Sequence, residues 1–112
     1  MFERQRQGTV DVIRCGEALI EEHLDELSNL LAECLESGGQ PRAVLDLQLV
    51  PLLDSAGLER VLDAHEEFER LGGGLRLAAP NDLCRDILAC SGLLEQVEVL
   101  SDVKTAVGSF AR

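Results

Sequence analysis

Tryptophan and tyrosine are absent from the 112 residues, and phenylalanine occurs three times. So little aromatic surface excludes a binding face built on stacked bases or sugars. Any core must be assembled from Leu, Val, Ile and Ala, which suits helices packed on a sheet. Cations are scarce too: ten Lys plus Arg stand against 21 Asp plus Glu, a formal charge of −11. Nucleic-acid backbones and anionic membranes are held by clustered cations that displace counterions, so neither is an expected partner. Apolar runs are short, Ala43-Val44-Leu45 being an example, and none approaches the roughly 20 residues of a membrane span. The polar N-terminus has no signal-peptide character. The expectation is a cytoplasmic protein with no direct membrane insertion.

Metal and disulfide chemistry lack their usual spacings. Cys15, Cys34, Cys84 and Cys90 contain no Cys-x-x-Cys, and His23 and His65 fall on different predicted helices without a ligand pattern beside them. Reduced, mostly buried thiols and no metal or cofactor are expected. A chain of this length fits one domain, residues 1–112, whose core can be stable without staples.

What is present is alternation. Residues 2–15 read as two short strands around Gln7-Gly8, an edge hairpin. From Glu21 to Ser37, Leu24, Leu27, Leu31, Cys34 and Leu35 recur at helical spacing before Gly38-Gly39. The near-continuous apolar run Ala43–Leu49 predicts a central strand covered on both faces, with a loop from Val50 to Asp54. Leu58, Val61, Leu62, His65, Phe68 and Leu71 trace one face of a helix that stops at Gly72-Gly73-Gly74. Those glycines follow a helix and precede a strand, the reverse of a phosphate loop. Leu75–Ala79 is the next strand. A helix capped by Asn81 then runs through Leu83, Ile87 and Leu88 to Gly92. Val97–Leu100 is a short strand, and Ser101-Asp102 cap a last helix containing Val103, Ala106 and Val107. The order ββαβαβαβα predicts a mixed α/β domain, a mainly parallel sheet with an antiparallel N-terminal hairpin and about four helices.

The strand Val44-Leu45-Asp46-Leu47, a short loop, and Leu53-Asp54-Ser55-Ala56-Gly57-Leu58 opening a helix resemble the signature of the STAS family. That family includes sulphate-transporter C-terminal domains and the anti-sigma factor antagonists. Gly73-Gly74-Leu75-Arg76-Leu77 resembles its third core strand, and Ile87–Leu93 resembles the helix and turn that follow. In the antagonist branch the serine directly after the aspartate is phosphorylated by an anti-sigma factor that is also a serine kinase, and a phosphatase of the PP2C type reverses this. By position that serine is Ser55, and the resemblance implies a partner surface over Asp54, Ser55, Ala56, Gly57, Leu58 and Glu59. It implies a monomer or weak homodimer that regulates transcription by partner switching and is no enzyme. Without the resemblance, Asp54-Ser55-Ala56-Gly57 reads simply as a helix cap.

The residues suit a switch physically. At the first turn of a helix, backbone N–H groups are unpaired and the dipole favours negative charge, so a phosphate fits there without unfolding the domain. It would add about −1.5 to −2 charges to an acidic surface. Glu59, Asp63, Glu66, Glu67 and Glu69, on the solvent face of the same helix, suit a basic partner. Two departures stand out. Many antagonists carry Gly-x-Leu-Asp near the end of the second strand, where this chain has Gly16-Glu17-Ala18-Leu19, and Pro51 precedes the switch loop. A constitutive subunit without a phosphoswitch, a stressosome-like scaffold or the STAS component of a lipid-transport ABC complex, is the alternative.

Overall fold

The computed structural model describes residues 1–111. The chain opens with β1 (Phe2–Gln7) and β2 (Val10–Cys15), joined antiparallel at a turn where Gly8 takes φ +65°. Then follow α1 (Leu24–Glu36), β3 (Arg42–Asp46), α2 (Ser55–Arg70), β4 (Gly74–Ala78), α3 (Asp82–Cys90), β5 (Glu98–Leu100) and α4 (Val103–Gly108). The five strands lie in sequence order in one sheet, with β2 to β5 parallel. The predicted ββαβαβαβα order and mixed sheet are the observed ones.

Sequential order fixes where the helices go. Right-handed crossovers that all step in one direction place α1, α2 and α3 on the same face. There Leu27, Leu31 and Cys34 of α1, Val61, Ala64 and Phe68 of α2, and Cys84 and Leu88 of α3 bury Ile13, Leu45, Leu75 and Leu77 of the sheet. Each fully buried Leu or Phe contributes roughly 1.5–3 kcal/mol. Alternate strand residues Val12, Val44 and Ala78 point to the opposite face, where Ala106 of α4 meets them. α4 packs over β3, β4 and β5. On this face of the β1–β2 hairpin Val10 and Val12 are buried, whereas Glu3, Gln5, Gln7 and Arg14 are exposed.

Local chemistry sets most ends as expected. Asn81 caps α3, its Oδ1 accepting from the Cys84 N–H at 2.7 Å, and Asp102 caps α4 through the Thr105 N–H at 2.7 Å. Two boundaries differ. Residues Glu21–His23 form a 3-10 turn, so the regular helix starts at Leu24. The strand expected over Ala43–Leu49 ends at Asp46, because its carboxylate turns back to accept from the Gln48 N–H at 3.0 Å and the chain leaves the sheet.

Candidate functional site

The loop between β3 and α2 lies at the carboxyl ends of the parallel strands and is tied on two sides. Toward α3, the Val50 carbonyl accepts from Asn81 Nδ2 at 3.2 Å and from the Cys84 thiol at 3.3 Å. The Pro51 carbonyl also accepts from Asn81 Nδ2, at 3.5 Å. Toward the N-terminal half, the Leu19 N–H donates to the Leu52 carbonyl at 3.1 Å and the Asp54 N–H donates to the Leu19 carbonyl at 3.2 Å. These bonds make an isolated parallel bridge between Leu19 and Leu53.

Leu19 stands where the antagonist pattern would place an aspartate. Its side chain is fully buried in the core, so this segment meets the loop through its backbone alone. Just upstream, Glu17 is half-buried and lies 2.9 Å from the Met1 amino group. Its carboxyl is held below the usual range, first by a hydrogen bond from that amine. His23 completes the local set, with Nδ1 2.8 Å from the Ala18 carbonyl.

Asp54 joins the two supports. One carboxylate oxygen accepts from the Gly57 N–H at 2.8 Å and satisfies an orphan donor of the first turn of α2; the other accepts from the Glu21 N–H at 3.2 Å. Asp54 thereby ties the loop to both α2 and the segment after β2. Gly57 is buried, and a β-carbon built on it would collide with the Leu19 carbonyl. The chain's own Leu19 segment thus makes a close backbone approach at this glycine.

Ser55 is the first residue of α2 and is exposed, and its hydroxyl has no hydrogen-bond partner among the described residues. Asp54, Ala56 and Leu58 are half-buried, Leu58 against the main core, and Glu59 is exposed. From Asp54 to Glu59, then, Ser55 and Glu59 present the most surface. Beside them runs a shallow groove between Glu21 and Asp25 on one side and Glu59 and Asp63 of α2 on the other. Arg60 in that wall is tied to Glu67 at 2.6 Å. The exposed charge around Ser55 is mainly negative.

Sequence reasoning missed three leucines here. Leu49, assigned above to a buried strand, is 57% exposed, Leu52 in the same loop is 39% exposed, and Leu83 in the first turn of α3 is 53% exposed. Leu49 and Leu52 flank the two carbonyls that Asn81 holds, and Leu83 follows two residues after Asn81. Among the described residues, three of the five exposed large apolar side chains thus belong to the Ser55 loop and the helix start bonded to it. The available signal was Pro51 and Asp54, which mark a loop whose leucines have no sheet to cover them.

Among the described residues no group of three His, Cys, Asp or Glu is placed to hold a metal, and no helix is long and apolar enough to cross a membrane. Cys15, Cys34 and Cys84 are buried and Cys90 is exposed, all as free thiols.

Comparison with known proteins agrees with this fold. The STAS domain family model matches residues 1–106. No match was found among curated protein sequences. A candidate anti-sigma factor antagonist (tm1081) from Thermotoga maritima superposes with a TM-score of 0.91 at 20% identity, covering 99% of this chain and 95% of that one. An anti-sigma factor antagonist from Mycobacterium paratuberculosis gives 0.87 at 18% identity, covering 100% and 94%. The antagonist SpoIIAA in its unphosphorylated form gives 0.79 at 20% identity, covering 97% and 95%.

Proposed function

The chain belongs to the STAS domain family, and from that premise we propose that it is an anti-sigma factor antagonist that works by partner switching. Unmodified, residues 1–112 act as one cytoplasmic binding unit that engages an anti-sigma factor with serine-kinase activity. Phosphorylation of Ser55 releases that partner, and a PP2C-type phosphatase restores binding. The chain itself catalyses nothing.

The observation that carries this reading is the placement of Ser55. An exposed hydroxyl without a partner among the described residues sits on the first turn of a helix whose cap and flanking loop are fixed by other residues. A phosphate there costs the fold no contact, and the helix terminus favours its charge. Its effect falls on whatever covers the loop. Burying a dianion against the leucine cluster at Leu49, Leu52 and Leu83 opposes binding, and each 1.4 kcal/mol of desolvation or repulsion lowers affinity about tenfold. Two or three such steps make a switch.

Intact-mass measurement after incubation with ATP and each anti-sigma-type serine kinase of the same organism tests the proposal. One phosphoryl group is expected on the wild type and none on Ser55→Ala, with loss of the complex on modification. An unmodified wild type, or a complex indifferent to modification, overturns it. The leucine cluster also favours a second reading, a constitutive subunit gripped permanently, because obligate interfaces are the more apolar ones. That reading predicts a complex that survives Ser55→Asp.

A further inference from the structure

The sheet carries two nearly buried carboxylates, and the chain neutralises only one of them. Asp11, 2% exposed, is answered by Arg4 at 3.0 Å and by Arg6 at 3.5 Å. Asp46, 7% exposed, lies on the opposite face at the end of β3. One of its oxygens accepts from the Gln48 N–H, and no cation among the described residues pairs with it. Its registered neighbour on β2 is Arg14, which is exposed and has no ion pair either. A carboxylate so far removed from water is costly unless a charge and hydrogen bonds compensate it.

The two unpaired groups share a cavity of about 680 Å³ on the sheet face beside the start of α4. Gln5, Gln7 and Gln48 line it with amides, Val12 and Val103 add apolar surface, and Glu3 and Arg4 add one further charge of each sign. None of the three amide side chains has a hydrogen bond within the chain among the described residues. The volume falls within the range of roughly 300–1,000 Å³ of small-molecule sites. A partner protein would need an apolar centre to this face, and the lining is mostly polar.

We propose that this cavity binds a small zwitterion of the free α-amino-acid class, with its carboxylate on Arg14 and its ammonium on Asp46. Arg14 and Asp46 are registered partners on strands about 4.8 Å apart and line one cavity, so opposite charges are offered side by side to a single small molecule. A simple anion would face Asp46 and Glu3, and a simple cation would leave Arg14 unanswered. A carboxylate on a guanidinium makes two parallel bonds, which fixes orientation as well as charge. The amides serve the ligand's remaining donors and acceptors. The site is independent of Ser55, which opens a helix packed on the other face of the sheet.

Calorimetric titration of the full chain with a panel of free L-amino acids covering every side-chain class tests the proposal. At least one is expected to bind with Kd below about 1 mM. Its N-acetyl form, lacking the ammonium, and its amide, lacking the carboxylate, should each bind at least about tenfold more weakly. Asp46→Asn keeps an acceptor for the Gln48 N–H and should remove binding, Arg14→Gln should do the same, and Ser55→Ala should leave it unchanged. Circular dichroism checks that Asp46→Asn folds; if it does not, the exposed Arg14→Gln decides. No binding across the panel at millimolar concentration, or binding that survives Arg14→Gln or both blocked forms, overturns the proposal.

Discussion

A β-carbon at Gly57 would overlap the carbonyl oxygen of Leu19, so the first turn of α2 is seated directly on the backbone of the segment after β2. That carbonyl also accepts from the Asp54 N–H. Gly57→Ala must therefore push the two segments apart or twist the helix terminus. Overpacking of this kind costs about 1–3 kcal/mol. Urea denaturation should show the loss as a lower midpoint with an unchanged slope.

Asp54 is the other half of that joint. Asp54→Ala leaves two backbone donors, Gly57 N–H and Glu21 N–H, without their acceptor. Losing an N-cap costs typically about 1 kcal/mol, up to about 2, and the second orphan donor adds to it. Asp54→Asn retains one acceptor, so its loss should be the smaller. Thermal melting of the two variants ranks them, and equal losses would mean that the bond to Glu21 carries no stability. Ser55→Ala is the control and should stay within about 0.5 kcal/mol of the wild type.

Much of this architecture is legible in the residues themselves, because it rests on local chemistry. Helical spacing from Leu24 to Leu35 and from Leu58 to Phe68 marks the faces that became core, whereas Leu71, expected on the same face, lies just past the end of α2 and is 47% exposed; the carboxylate or amide at Asp54, Asn81 and Asp102 caps the helix that follows it. The errors occur where distant segments meet. The near-continuous apolar pattern from Ala43 to Leu49 does not reveal that Asp46 folds back onto the Gln48 N–H and turns Leu49 out to solvent. Nor does it show that Leu19 pairs with Leu53, a contact made by backbone atoms that every residue possesses. The placement of Ser55 follows from its cap, whereas the leucines around it are visible only once α3 is docked on the loop.

That apolar cluster separates binding from folding. Leu52 and Leu83 project substantially into solvent, so Leu52→Ser and Leu83→Ser should each change stability by no more than about 0.5 kcal/mol. If the cluster lies at the centre of a partner interface, each change should weaken the complex by about 1–2 kcal/mol or more, roughly five- to thirtyfold. Surface plasmon resonance against the anti-sigma partner reads this as faster dissociation, because apolar contacts act mainly after encounter. Unchanged off-rates would place the interface elsewhere on the chain.

Buried thiols give the fold an alkaline limit. Cys15 is pushed up to about 12, chiefly by burial, with the charge of Asp46 adding to the effect. Cys34 is likewise raised to about 12, by burial first and then by the Asp11 carboxylate. An unfolded thiol ionises near 8.5. Below that value both states hold the proton and the thiols add no pH dependence. Above it the unfolded chain releases protons that the folded chain keeps, so stability falls as pH rises, through a window from about 8.5 to 12. The melting temperature should therefore drop steeply across that range. In a Cys15→Ala, Cys34→Ala variant the starting value should be lower, because a cavity replaces each sulfur, but the alkaline slope should be flatter. A slope as steep as that of the wild type would assign the loss to other groups. Below this window, a thiol reagent should label Cys90 rapidly in the native protein and reach Cys15, Cys34 and Cys84 only on unfolding.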